Sequence, residues 1–530
     1  MTSMTMTLML PVLLFAPLAI SLLLFMAGGL PLRSRALAGI LHLAGITLML
    51  VLALLVICQT LTTGPVDALS GWLRVDALGA IFLGLVGIVG FITGLYSIGY
   101  MNHELAENKI SPRQLFNYYA IFDLFLFTML LAVTANNIIM MWVAIEATTL
   151  ASTFLVGFNG KKSSLEAAWK YIVICTVGLA FGLYGVVLVY SNAASLPGVH
   201  GSAAFWTVLL GEAHRFDPAL MKIAFIFVMI GFGTKAGFFP MHTWVPDAYS
   251  EAPSPVSALL SAVLSNCVLL LIIRFYILVS QTLGYAFPQL LMTFFGLLSL
   301  AVAAFFIISQ RNIKRLLAYS SVETLGFIAI GIGLGSPLGV MAALLHTINN
   351  SMAKGLLFCS SGNVILKYGS PDLKVVKGLL RVAPLTGILF GAGALALGGI
   401  PPFNIFFSEL MIVVAGIKSG NGWLMLVCVV LLTVVLAGLV RMVAAALFGP
   451  KPDTVQKGET GVLTLLPLCV LLAFMLWFGI SLPQSVNTLL DRATGIVLNQ
   501  NAPQITGMAG KTTSPAAAIV AAARQGQAQE

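Results

Sequence analysis

Apolar residues run along this chain in long blocks, broken at short intervals by polar or Gly/Pro-rich punctuation. The blocks fall at roughly 6–28, 36–60, 77–100, 114–134, 137–158, 169–191, 219–243, 254–281, 287–309, 315–335, 338–366, 382–416, 421–448 and 461–482. A helix needs about 20 such residues to cross a hydrocarbon core of roughly 30 Å. The pattern therefore predicts an all-α polytopic membrane protein with about 14 transmembrane helices. The last stretch, 483–530, is rich in Ala, Gln, Thr and Gly, and its piece 486–497 is a candidate for the membrane surface.

Two spans are interrupted. The seventh holds Gly231, Gly233, Gly237 and Pro240, and the twelfth holds Gly391, Gly393, Gly398, Gly399, Pro401 and Pro402. Proline removes a backbone donor and clashes with the preceding turn, so both helices should break inside the membrane. Paired broken helices in two halves of a chain point to a transport site. Pro401 lies 161 residues after Pro240, which is five spans. An odd offset turns the second unit over in the bilayer, so counting alone predicts two inverted five-helix repeats. The expected organisation is 1–113 for helices 1–3, 114–281 and 287–448 for the repeats, 461–482 for helix 14, and 483–530 for the tail.

Composition strengthens this picture. Of 530 residues, 59% are apolar and 8% charged, against about 25% charged in a typical soluble domain. Mean hydropathy is +1.01. These values exclude a water-soluble enzyme, a disordered chain and a nucleic-acid-binding module. The net charge of +9 is read instead as a topology signal. Alternate loops carry Arg33 and Arg35; Lys109 and Arg113; Lys161 and Lys162; Arg311, Lys314 and Arg315; Lys367, Lys374, Lys377 and Arg381; Lys451 and Lys457. The opposite loops carry Arg74, Arg215, Lys222 and Lys418. Basic short loops favour the cytoplasm, so both termini are expected on the periplasmic side of a bacterial inner membrane. The first span lacks the basic lead of a cleaved signal peptide and is expected to be retained.

The six cysteines, Cys58, Cys175, Cys267, Cys359, Cys428 and Cys469, are scattered singly. Thiolate-bound zinc or an iron–sulfur centre needs clustered ligands, so no cofactor is expected in this chain. There is no phosphate-binding G-x-x-x-x-G-K-[ST] loop, which argues against an ATP-driven pump.

Ionisable residues inside spans carry the functional signal, because each costs roughly 2.5–3.5 kcal/mol at the bilayer centre. Glu146 sits mid-span, away from any loop, and needs a cation when ionised. Lys235, just ahead of the break at Pro240, is its expected partner in a switchable pair. His346, Asn350 and Lys354 step by four along the eleventh span and share one helical face. Histidine passes protons at either ring nitrogen, so this polar stripe reads as a relay. Glu409 follows the second break and is the carboxylate placed to end the path. Asp123, Lys170, Arg274, Glu323 and Arg441 are secondary candidates, with Lys170 and Arg441 close enough to span ends to snorkel. Asp247 and Glu251, in a connection without basic residues, read equally as proton attractors or helix caps.

At these residues the sequence resembles a known family. The eleventh-span His346 and Lys354, the run 310–322 (QRNIKRLLAYSSV) and the Glu146/Lys235 pair resemble the antiporter-like membrane subunits of respiratory complex I and of Mrp cation/proton antiporters. The runs 244–260 (WVPDAYSEAPSPVSALL) and 163–171 (SSLEAAWKY) are closer to the component F family of bacterial hydrogenase-4, of the formate hydrogenlyase type. The resemblance spans nearly all the helices and implies a 14-helix bundle with two inverted repeats, moving protons as partner subunits move electrons. It implies Glu146 as the fifth-helix glutamate, Lys235 as the broken-helix lysine, His346 and Lys354 as relay residues, and Glu409 as the terminal carboxylate. Asn266 stands where many relatives carry lysine, and Thr324 where they often carry histidine. Asn350 occupies a position that is histidine in some members.

The expected function is thus a proton-translocating subunit of an energy-converting membrane hydrogenase. Nickel–iron and iron–sulfur centres are expected in partner subunits, alongside other membrane-arm subunits, with a formate dehydrogenase as one candidate. Two rivals remain: an Mrp-type sodium/proton antiporter subunit, and a structural arm whose path is broken at Asn266.

Overall fold

A computed structural model describes residues 3–29, 34–199, 201–453 and 455–500. Arg33 and the tail beyond residue 500 lie outside the described residues. Among those described, twelve helical segments are long and apolar enough to cross a membrane. The chain is an all-α polytopic membrane protein.

Helices α1 (Ser3–Gly29) and α2 (Arg35–Thr63) lead into a small antiparallel hairpin, β1 (Val66–Ala68) and β2 (Leu73–Val75), which the hydropathy pattern did not indicate. Then come α3 (Ala77–Ala106), α4 (Pro112–Thr134), α5 (Ile138–Val156) and α6 (Lys162–Ala194), followed by the short α7 (Trp206–Glu212). Many starts are set by a capping side chain: Ser34, Asp76, Ser111, Asn137, Asp217, Asn312 and Ser336 each accept from a backbone N–H of the first turn.

The seventh span is broken as expected. Helix α8 (Pro218–Ala236) ends at Gly237, whose φ of +100° only glycine adopts readily, and α9 (Trp244–Glu251) resumes after the break. The eighth span is α10 (Ser254–Leu259), a π turn at Leu260–Leu264, and α11 (Ser265–Leu283). Its most apolar window is entirely buried, so this span forms the axis of the bundle. Helices α12 (Ala286–Ser309), α13 (Ile313–Gly333) and α14 (Pro337–Tyr368) follow. Helix α14 is 32 residues long, but the polar stripe foreseen on it keeps it out of the most apolar set. After α15 (Leu379–Val382), the twelfth segment divides into α16 (Pro384–Leu397) and α17 (Asn404–Lys418), separated by Gly398–Phe403. Helices α18 (Gly422–Leu447), α19 (Val462–Ile480) and α20 (Gln484–Val497) complete the chain.

One construction occurs twice. Asn137 caps α5 by accepting from the N–H of Ile139 and Met140, and Asn312 caps α13 by accepting from Lys314 and Arg315. Each asparagine also forms an isolated antiparallel bridge with the loop leading into the short helix ahead of a broken one, Asn137 with Phe205 before α7 and Asn312 with Asp372 before α15. The backbone bonds match: Ile138 N to Ala204 O and Trp206 N to Asn136 O, against Ile313 N to Pro371 O and Leu373 N to Arg311 O.

Candidate functional site

Lys235 lies on the last turn of α8 and has no exposed surface. Its ammonium donates to Thr149 Oγ1 (2.8 Å) and to the Tyr171 hydroxyl, 4.5 Å from the Tyr171 ring centroid and 5.9 Å from that of Trp244. Neutral oxygens and aromatic faces therefore hold this cation. Tyr171 in turn shares a hydrogen bond with Ser152 (2.7 Å). Glu146, one turn back from Thr149 on α5, is half-buried and points to α6. Its Oε1 accepts from Thr176 Oγ1 (3.0 Å), while its Oε2 is buried without a partner. The expected direct Glu146/Lys235 pair is thus not formed in this state. Thr149 intervenes, because residues 146 and 149 sit one turn apart and the lysine meets the nearer one.

The axis carries the next polar groups. The π turn brings the Leu260 carbonyl and Ser265 Oγ to the Tyr249 hydroxyl, each at 3.0 Å; such turns often mark functional positions. Asn266 donates to Ala262 O and to Ser351 Oγ on α14, both at 2.8 Å. Ser261 meets Ser321 of α13 at 2.7 Å. One residue away, Ser320 accepts from the buried ammonium of Lys354, which also donates to Leu317 O (3.3 Å). Glu323 is buried a turn further along α13, where its Oε2 accepts from Thr324 (3.0 Å), and it is within electrostatic reach of Lys354.

His346 extends the line toward the second break. Its Nδ1 lies 2.9 Å from Ser408 Oγ, and that hydroxyl gives its one hydrogen to Ile405 O. Nδ1 must then carry the ring hydrogen, a tautomer assigned from the bonding pattern. Nε2 is left as a buried lone pair without a partner, and Asn350 Oδ1 is likewise unpartnered. Asn349 and Asn404 clamp α14 to the start of α17 through bonds of 2.9 and 3.0 Å. Glu409 is half-buried on α17, folded over the break so that a Cβ on Gly399 would sit 2.1 Å from its Oε2. Gly399 also has φ +66°. Gly399→Ala is expected to displace the Glu409 carboxylate and cost roughly 1–2 kcal/mol for the left-handed backbone alone. Proton uptake should fall several-fold and the melting temperature should drop; unchanged values for both would show that the carboxylate has no fixed seat.

Several secondary candidates lie off this line. Lys170 is at the surface, paired with Glu166 (2.7 Å) and Asp247 (3.4 Å), and Asp247 also binds Arg315 (2.8 Å). This surface cluster ties α6, α9 and α13 together and sets Lys170 and Asp247 apart from the buried groups. Arg274 makes a bidentate buried pair with Asp76 at 2.6 and 2.7 Å and stacks on Trp206 at 4.4 Å. Asp123 pairs with His42 of α2. Arg441 donates to Gln310 O at the surface. Sequence reasoning missed Tyr171, Thr149, Ser320 and Ser408, polar residues of ordinary type that matter only through the lysine or histidine they face. It also read Lys314 as a loop charge, whereas it is buried and donates to Ala252 O. Among the described residues no group of three His, Cys, Asp or Glu is placed to hold a metal.

Residues 135–436 match the family described as NADH:quinone oxidoreductase/Mrp antiporter, transmembrane, and residues 68–109 match the N-terminus of complex I chain 5. The chain belongs to this antiporter-like family. It is 36% identical to the hydrogenase-4 component F homolog of Methylacidiphilum infernorum, over 73% of this chain and 82% of that one. It is 32% identical to NADH-quinone oxidoreductase subunit N of Desulforudis audaxviator, over 66% of this chain and 69% of the relative. Among solved structures, a chain of the membrane-bound sulfane sulfur reductase, an archaeal respiratory membrane complex, superposes with a TM-score of 0.81 at 22% identity, covering 97% of this chain and 99% of that one. The antiporter-like family match contains Glu146, Lys235, Asn266, Glu323, His346, Lys354 and Glu409, whereas Arg441 falls beyond it.

Proposed function

We propose that this chain is a proton-translocating, antiporter-like subunit of an energy-converting membrane hydrogenase complex. The observation that carries the reading is a succession of polar and titratable groups, most of them buried, across α5, α8, α11, α13, α14 and α17. It runs from Glu146 and Lys235, through Asn266, Ser351, Lys354 and Glu323, to His346 and Glu409. Its two end carboxylates are half-buried, and a charge facing lipid costs roughly 2.5–3.5 kcal/mol. That cost supports neighbouring membrane subunits covering both ends. Redox chemistry belongs to a nickel–iron hydrogenase and iron–sulfur partners, with formate dehydrogenase as a further candidate.

A redox-driven change at one end moves charge near Glu146. Lys235, held by neutral oxygens, then transfers its proton or draws closer to the carboxylate, and protons shift along the line to Glu409. The twice-used asparagine cap and bridge supports inverted repeats over 114–281 and 287–448, with α14 and the α16/α17 pair as the remaining crossings. The basic loops support a cytoplasmic placing for one face and periplasmic termini in a bacterial inner membrane. Proton uptake by vesicles holding the whole complex tests the reading: Glu146→Gln should lower it sharply while hydrogen oxidation continues, and uptake at the wild-type rate would overturn it. Sodium-dependent uptake without a redox partner would favour the antiporter rival.

A structural reading is favoured by one feature, Asn266, whose amide cannot carry a charge and is pinned on both sides. If the path is interrupted there, Asn266→Lys should create conduction where the native chain has none.

A further inference from the structure

Outside the central groups, α2, α3 and α4 bury a second titratable cluster. His42 Nδ1 lies 2.9 Å from Asp123 Oδ1, with both side chains essentially inaccessible. Tyr119 stacks on the imidazole at 4.5 Å, and Phe122 meets it edge-on at 5.2 Å. Three polar atoms of the cluster, His42 Nε2, Asp123 Oδ2 and the Tyr119 hydroxyl, are buried without partners. Such concentration is unusual, since buried polar groups are nearly always paired and the gaps commonly hold water. Gly94 of α3 makes the room: a Cβ there would lie 3.2 Å from His42 Nε2. His42 is the side chain within hydrogen-bond distance of Asp123 among the described residues. Nearby on α1, Ser21 Oγ donates to Ala120 O of α4 (2.7 Å), and on α3 Thr93 donates to Val89 O (2.7 Å).

A ladder leads to this cluster from the face with the basic loops. Glu104 sits at that end of α3, partly exposed and bound to Lys109 at 3.2 Å. One turn inward is Tyr100, and one more turn brings Tyr96 and Ser97, so these positions share a helical face about 15 Å long down to Gly94. Ser97 Oγ donates to the Tyr118 hydroxyl of α4 (3.1 Å). The rings follow one another along the ladder: Tyr96 and Tyr100 lie 6.0 Å apart between centroids, Tyr118 and Tyr119 5.5 Å, and Tyr119 rests on the His42 ring. A packing role alone needs no such run of hydroxyls, because phenylalanine fills the same volume.

We propose that α2, α3 and α4 carry a second proton branch, which loads a proton from the basic-loop side through Glu104 and the tyrosine ladder onto the Asp123–His42 pair. Each hydroxyl on the way accepts one proton on oxygen and gives up its own, so the ladder ends unchanged and the pair gains one proton at Asp123 Oδ2. Discharge runs back along the ladder or on through Tyr96, whose hydroxyl donates to Asn363 Oδ1 (3.0 Å) on α14, the helix bearing Lys354 and His346. The branch rests on the proton-transfer reading for its use and on the basic loops for its direction.

The test is infrared difference spectroscopy of the whole complex in vesicles, after pH jumps between about pH 5 and 8 on the basic-loop side. A protonated-carboxyl band, assigned by isotope-labelled aspartate, is expected in the native complex and absent in Asp123→Asn. Tyr118→Phe, which keeps the ring and removes the hydroxyl, should slow its rise about tenfold or more. Absence of an Asp123-dependent band, or a rise indifferent to Tyr118→Phe, overturns the branch. Lys235→Ala separates the two readings, because it should leave this band in place whatever it does to net proton uptake.

Discussion

Vesicles carrying Lys235→Ala should take up protons at least on the order of a hundredfold more slowly than those carrying the native complex, the usual scale for removing a positioned acid or base. The lysine is fully buried and is the cation of the first half of the line. Its ammonium is held by Thr149, Tyr171 and two aromatic faces, none of which can replace its charge. Removing it leaves Glu146 facing no movable cation, so the carboxylate loses the group with which it would exchange charge. Tyr171 keeps its bond to Ser152, so α5 and α6 stay joined and assembly should survive. Hydrogen oxidation with an artificial acceptor reports on the redox partners separately and should be retained. Full proton uptake in Lys235→Ala, with the complex intact, would falsify the proposed role of this pair. Lys235→Arg should be intermediate: it keeps a charge, but a planar fork cannot take up the three-way bonding of an ammonium.

The contrast between what the sequence disclosed and what it hid has a physical basis. Hydropathy sums over some 20 residues, so the spans and both glycine–proline breaks stood out without any knowledge of neighbours. The stripe His346, Asn350, Lys354 was legible for a similar reason, since helical periodicity alone places those residues on one face. Contacts between distant segments were not legible. Asp76 meets Arg274 across 198 positions, and nothing local marks an N-cap aspartate as an ion-pair partner. His42 is one polar residue in an apolar helix, which by itself reads as an ordinary core histidine. Lys235 meets Thr149 rather than Glu146, one helical turn away, a distance that sequence spacing on two separate helices cannot resolve. The π turn at Leu260–Leu264 leaves no compositional trace, yet it sets where Asn266 points. The duplicated asparagine construction also escaped notice, because its two copies share geometry while their flanking residues differ.

Arg274→Ala should give the largest loss of stability of any single change considered. Breaking a buried ion pair by removing one partner typically costs about 3–5 kcal/mol, and here the survivor is a carboxylate at the start of α3. Arg274 binds both Asp76 oxygens and covers the Trp206 ring, while Trp206 Nε1 donates back to Arg274 O (3.1 Å). The side chain therefore joins α11, α7 and the cap of α3, and lysine cannot reproduce a bidentate, stacked contact. Burial pushes the Asp76 carboxyl up, but Arg274 and the Gly79 N–H outweigh it and hold it below its ordinary value of 3.8. A depressed carboxyl contributes stability above its unfolded value and loses it only as pH falls through the folded one. The pair should accordingly persist through neutral and mildly acidic conditions and give way below about pH 4. Thermal unfolding of the purified complex should show a large drop for Arg274→Ala. The double change Asp76→Asn/Arg274→Met, which keeps the cap and removes both charges, should recover much of it. Proton uptake measured at a temperature where Arg274→Ala is still folded decides whether this pair is scaffold or path. A scaffold leaves the rate per folded complex unchanged, whereas a loss there as deep as that of Lys235→Ala would return Arg274 to the proton line.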